Sequence, residues 1–208
     1  MTQHVPALFL ADSTGLDFLN SVATPADTPI DWLEDGEGLL SWLTQAHLVS
    51  SEVVGTVRER AIPGEIDRLA GQARTLREWF RTFVRDRKGR SLTTDDLAEL
   101  EPLNELLRRD ERYGEIIAQP MDGRSALTLV AKHRWNSPET LLLPIAEAMA
   151  HLVCDEDFSR VKACEAPSCT LLFADHTRGG ARRWCSMALC GNRAKQAAHR
   201  SRQRQAEA

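Results

Sequence analysis

Residues 164–190 read CEAPSCTLLFADHTRGGARRWCSMALC, and the placing of their four cysteines decides how the chain divides. Four residues separate Cys164 from Cys169, fifteen follow, and Cys185 and Cys190 repeat the first spacing. Each pair can turn two sulfurs toward one small ion, and the loop between lets the pairs converge. Zn2+ takes four N or S ligands in a tetrahedron, and four thiolates close a structural site with no position left for substrate water. An iron–sulfur cluster also accepts four thiolates, and disulfides or free thiols are further readings. Pro167-Ser168 inside the first pair and Gly191-Asn192 after the second supply turn residues. His176 lies in the loop and could replace a cysteine; His4, His47, His133 and His151 show no ligand spacing. Cys154, on an apolar stretch, reads as a small buried hydrophobe.

Charge divides the chain at the same place. The 208 residues carry a formal net charge of −4, yet the segment from Arg160 onward has ten Lys or Arg against three acids. That end therefore carries +7 and the remainder −11. An acidic body with a basic end points to a polyanion partner for one end only. The length suits one ordinary domain plus a small module, so residues 1–158 are expected to form an α-rich body and 159–208 a metal-organised module. A 42% hydrophobic share implies a buried core and excludes global disorder. No apolar run approaches the ~18 residues that cross a bilayer. The opening MTQHVPALFLADSTGLDF lacks a basic start and places Asp12 where a signal cleavage site would fall. A cytoplasmic protein with no membrane partner is the expectation.

Upstream, Leu16, Leu19 and Val22 fall at helical spacing before Pro25 and Pro29. Residues 31–48, with Trp32 and Trp42 as core anchors, read as a short helix and its lead-in, and Ser51-Glu52 opens another through about Arg60. From Pro63, the positions Ile66, Leu69, Ala73, Leu76, Phe80 and Phe83 give the strongest helical stripe, with Arg and Glu on the other face. It ends near Arg87-Lys88-Gly89. Thr93 or Thr94 caps a helix to Arg109 with Leu97, Leu100, Leu103 and Leu106 inward. The period then changes: 114–120 and 125–133, around the turn Asp122-Gly123, predict a small β-hairpin. Ser137-Pro138-Glu139 starts a buried helix through about Val153.

The last stretch, GNRAKQAAHRSRQRQAEA, is built of helix formers but has no large apolar residue, so a helix over about 191–206 projects rather than packs. At 100° per residue Arg193, Arg200 and Arg204 lie within about 40° of one another, with Lys195, Arg202 and His199 opposite. Such a slim basic helix could enter a major groove, while Arg178, Arg182 and Arg183 hold neighbouring phosphates. A solvated tail, or one paired with the acidic body, is the plainer reading of the same charges. The body offers no Gly-rich phosphate loop, nucleophile elbow or paired metal-binding histidines, so no catalytic residues are assigned and an enzyme is not expected. Asn20, Arg77 and Trp135 are its weak candidates for a small-molecule ligand. Self-association, as a homodimer, is the other role open to it.

RRWCSMALCGNRAKQAAHRSRQ, at 182–203, resembles the C-terminal module of the CGNR zinc-finger proteins, bacterial proteins regarded as transcription regulators. The matching residues are Cys164, Cys169, Phe173, Asp175, Arg182, Arg183, Trp184, Cys185, Cys190, Gly191, Asn192 and Arg193. LDFLNSV at 16–22, the Trp-containing helix and the long Arg-rich helix are similar, more loosely, to the ABATE-type domain that accompanies that finger, a family linked to stress-induced regulation. The resemblance implies zinc on the four cysteines and binding of double-stranded DNA rather than RNA. The expected fold is mainly α: a multihelical N-terminal domain with a small β-hairpin, then a four-cysteine zinc finger with a basic helix. The expected function is a zinc-dependent regulator that binds DNA through the finger. A zinc-stabilised protein-interaction module is the alternative.

Overall fold

The computed structural model describes residues 5–24, 28–121 and 124–206; His4, Pro25 and the turn Asp122-Gly123 lie outside them. Among the described residues are seven α-helices: α1 (Thr14–Leu19), α2 (Gly36–Gln45), α3 (Ser51–Arg60), α4 (Glu65–Arg87), α5 (Glu101–Leu107), α6 (Leu143–Asp155) and α7 (Asn192–Ala206). The strands form three separate antiparallel pairs: β1 (Val22–Ala23) with β2 (Ile30–Asp31), β3 (Arg112–Met121) with β4 (Arg124–His133), and β5 (Val161–Ala163) with β6 (Leu172–Ala174). The fold is mainly α and ends in a four-cysteine zinc finger, as the sequence pattern implies. None of the described helices is long and apolar enough to cross a membrane.

The stripe on α4 buries Leu69, Ala70, Ala73, Phe80, Phe83 and Val84 against α1 and α2, where Leu16, Phe18, Leu19, Leu39, Leu40 and Trp42 are buried in turn. Apolar burial of this extent is what holds a helix-on-helix body together. Helix α1 packs directly on α6. A Cβ on Gly15 would stand 2.6 Å from the Ala148 carbonyl oxygen, so the approach requires glycine there. At the far end of α4, Gly89 takes a left-handed φ of 84° and stops the helix.

Several local expectations are corrected. The helix foreseen from Thr93 or Thr94 to Arg109 is two pieces, a 3-10 turn over Thr94–Leu100 and then α5. Asp96 closes a capping box with Thr93, and Pro102 in the first turn of α5 starts a new register. The tighter 3-10 winding leaves Leu97 58% exposed rather than inward. Pro144 resets the register again, so a 3-10 turn over Pro138–Leu142 precedes α6. Cys154, near the end of α6, is exposed rather than buried. Helix α3 is capped by Ser50, whose hydroxyl accepts from the Val53 N–H at 3.3 Å, one residue before the expected start.

The larger correction concerns α4. The pattern sets its arginines on the face opposite the apolar stripe, yet Arg77, Arg81 and Arg87 are buried. Arg77 grips Asp31 with both terminal nitrogens, at 2.7 and 2.8 Å, and donates to Ser21 Oγ. Arg81 donates to the Leu19 carbonyl, and Arg87 pairs with Asp96 at 2.8 Å. Residues 19–22, Asp31 and the 93–100 turn lie against the helix, and a guanidinium fits such a place when its fork meets a carboxylate or carbonyl. Burial works against ionisation of Asp31, but the Arg77 bonds outweigh it and hold the carboxyl below its ordinary range.

Asp17 on α1 behaves oppositely. Its carboxylate accepts from the N–H groups of Leu10 and Ala11, at 2.9 and 3.1 Å, but burial dominates and pushes its pKa up to about 6. A folded value above the ordinary one means that the stability linked to this proton is full below about pH 4 and is lost as pH rises through about 6, roughly 3 kcal/mol in all. Urea unfolding of Asp17→Asn is expected to show a flatter stability profile over that window than the wild type. Identical slopes would contradict the burial argument.

Candidate metal centre

Two short structures bring the sulfurs together. Strands β5 and β6 form a hairpin with Ala163 opposite Leu172, and Cys164 N–H donates to the Leu171 carbonyl at 2.9 Å. Cys169 closes the turn between the strands by donating to Ala166. The second pair is held by a turn over Met187–Gly191, where Ser186 Oγ accepts from the N–H groups of Ala188 and Leu189. Cys190 N–H donates back to the Ser186 carbonyl at 3.0 Å.

The four sulfurs lie within 4.8 Å of one another. Cys169 and Cys185 are 3.8 Å apart and Cys185 and Cys190 3.6 Å. A tetrahedron with Zn–S bonds of about 2.3 Å has S···S edges of about 3.8 Å, so the cluster has the dimensions zinc requires. Three of the four cysteines are buried and Cys169 is half-buried. Without a cation the sulfurs cannot all ionise. A hydrogen bond from Cys185 draws Cys169 down to about 5, the same contact with Cys169 drives Cys185 far up, and burial raises Cys190 to about 11. A divalent ion removes that conflict by replacing the protons. Two N–H···S contacts spread the thiolate charge, Cys185 N–H to Cys164 at 3.4 Å and Arg193 to Cys190 at 3.7 Å. The site is a zinc site.

Asp175 organises the loop between the pairs. Its buried carboxylate accepts from Lys162 Nζ at 2.7 Å, from the N–H and hydroxyl of Thr177, and from Arg182 N–H at 3.0 Å. Burial opposes its ionisation, but these donors hold the carboxyl well below the usual range. His176 lies away from the sulfurs and meets Glu156 at 2.9 Å.

The finger is joined to the body. Asn20, read above as a ligand candidate, instead clamps Leu172: its amide donates to the Leu172 carbonyl at 2.8 Å and accepts from the Leu172 N–H at 2.9 Å. Leu171, Leu172, Phe173 and Ala174 are buried in the same core as the helices. Arg77 is spent on Asp31. Trp135 lines a cleft of about 600 Å³ with Tyr113 and Lys132, its ring 5.3 Å from that of His133. The structure does not bring these three ligand candidates together. A second cleft, of about 470 Å³, lies between α4, α5 and the 137–143 segment; Leu76, Leu106, Leu142 and Leu143 line it beside Arg109 and Arg134. No local motif marks it, since its residues come from three separate stretches.

The basic residues divide by what they touch. Arg182 turns inward, donating to the carbonyls of Leu10 and Cys185 at 2.7 and 2.6 Å and lying 4.3 Å from the centre of the Phe173 ring. Its fork is thus used within the protein, against the expectation of a phosphate contact. Arg183 pairs with Glu165 at 2.6 Å, and Arg193 donates to the Leu189 carbonyl. Arg178, Lys195, Arg200, Arg202 and Arg204 are exposed, and none forms an ion pair with another described residue. The described part of α7 buries no side chain in the core.

A comparison with curated proteins finds no match. Residues 160–203 match the family model of the CGNR zinc finger, and residues 12–156 that of ABATE, described as "Putative stress-induced transcription regulator"; neither is an enzyme family. With more than half of its length inside the second of these matches, the chain belongs to the ABATE family and carries a CGNR zinc finger at its C-terminal end.

Proposed function

We propose that the protein is a zinc-dependent transcription regulator in which residues 159–208 bind double-stranded DNA and residues 1–158 form a sensing or associating body. The observation that carries this reading is a helix none of whose described side chains enters the core, set on a zinc-fixed base, with Lys195, Arg200, Arg202 and Arg204 exposed along it. Phosphate neutralisation requires such a density of charge. Arg178, Lys195, Arg200, Arg202 and Arg204 are assigned to the DNA, with Arg193 and Arg183 contributing at the base of the helix and Arg182 holding the finger to the body. The plainer reading, a tail folded back on the acidic body, is disfavoured because none of the five cations meets a described carboxylate. A small-molecule signal is assigned to the 470 Å³ cleft, whose aliphatic side chains lie beside two arginines and two glutamates, Glu111 and Glu139, a lining that suits a compact ligand with an apolar part and polar groups.

The test is binding of zinc-loaded protein to duplex DNA across a salt series. The five exposed cations alone give an expected slope of log K against log salt of about −4.5, and contacts from Arg183 and Arg193 make it steeper. A flat plot, or no binding with zinc in place, would sink the DNA reading and leave a protein-interaction module.

A further inference from the structure

Among the described residues, strands β3 and β4 pair only with each other. At about 3.3 Å per residue, their ten residues make a ribbon about 30 Å long. Its base is fixed to α6. Asp110 meets His133 Nδ1 at 2.9 Å, His133 Nε2 lies 3.4 Å from Glu147, and Arg112 pairs with both carboxylates. Beyond this base one face is bare. Register sets Ile116 opposite Leu129 and Ala118 opposite Leu127, and the three large aliphatics are 68%, 72% and 81% exposed for Ile116, Leu129 and Leu127. No charged side chain lies on this face between Gly114 and Pro120 or between Ser125 and Ala131. The opposite face carries the Glu115–Lys132 ion pair. A lone two-stranded hairpin is marginal in water, and contiguous exposed aliphatics of this kind mark a contact surface.

We propose that the ribbon is a self-association arm, its aliphatic face covered by the same face of a second copy about a two-fold axis. The face is its own complement. It has no charge for an ionic partner to pair with, and stacking it on itself brings no like charges together. The acidic bodies would repel at close range, but an arm of about 30 Å exceeds the ~8 Å Debye length at physiological salt, so the arms meet where that repulsion is screened. A face about 30 Å by 10 Å, stacked on its copy, withdraws on the order of 600 Å² in all, about half of what the smallest stable complexes bury. The dimer is therefore reversible, and the chain folds without it.

Sedimentation velocity of the zinc-loaded full chain, from about 1 µM to several hundred µM, tests this without DNA. The wild type is expected to shift toward twice the monomer mass. The double variant Leu127→Lys, Leu129→Lys is expected to associate at least tenfold more weakly, and Gln119→Lys on the other face to behave as wild type. Equal zinc content and circular dichroism establish that each variant is folded, and Ile116→Ser replaces the double variant if it is not. A wild type that stays monomeric throughout, whatever other protein it binds, overturns the proposal. So does a dimer that survives both aliphatic-face variants, or one that Gln119→Lys weakens as much as they do.

Discussion

Replacing Cys164 with serine is expected to remove stoichiometric zinc and to destabilise much more than the finger. Three thiolates remain, but the lost sulfur is a buried ligand and the serine hydroxyl that replaces it does not ionise, so the substitution opens the tetrahedron. Structural zinc contributes apparent energies of about 10–16 kcal/mol in small fingers, while a whole domain is stable by only about 5–15 kcal/mol. The loss cannot stay local, because β6 lies in the shared core and Asn20, which caps α1, holds both polar groups of Leu172. Unfolding of the helical body, followed by far-ultraviolet circular dichroism, should move to lower denaturant together with the finger's Trp184 fluorescence. Acidification should act in the same direction. Cys185 and Cys190 hold their protons strongly without a cation, so protons compete with the metal and zinc leaves as pH falls. A Cys164→Ser protein that kept one zinc per chain and an unchanged transition would refute Cys164 as a ligand and with it the four-thiolate site.

What was legible in the sequence follows from how far each feature reaches along the chain. The cysteine pairs, the α4 stripe and the change of period at the β3–β4 ribbon are local patterns, and each has its counterpart in the structure. Features set by distant partners were not legible. Arg77 finds Asp31 across 46 residues, and Asn20 finds Leu172 across 152. No spacing rule separates those side chains from solvated or ligand-binding ones. Arg182 and Arg200 look alike in sequence, yet one stacks on Phe173 inside the protein and the other is exposed. Leu97 departs from the 3.6-residue period for a different reason, since a capping box and Pro102 impose a tighter turn there. The 470 Å³ cleft escaped because its walls assemble only when α4, α5 and the 137–143 segment pack.

That contrast between arginines supplies the second large effect. The triple variant Arg200→Ala, Arg202→Ala, Arg204→Ala removes three exposed cations from a helix in which alanine is the best helix former, so the fold and zinc content should be unchanged. Each phosphate contact scales affinity by the salt concentration to about the power −0.9, or roughly fivefold at 0.15 M. Three lost contacts therefore weaken duplex binding about 100-fold at that salt and make the slope shallower by about 2.7. Arg182→Ala should act differently. It frees the carbonyls of Leu10 and Cys185 and unstacks Phe173, so it lowers stability while leaving the salt slope of the folded fraction nearly unchanged. The pair of results distinguishes a helix that touches phosphates from a base that only presents it. If the triple variant bound DNA as the wild type does, with the same slope, α7 would not be the DNA-contacting element. If Arg182→Ala changed the slope without changing stability, its guanidinium would belong to the interface after all.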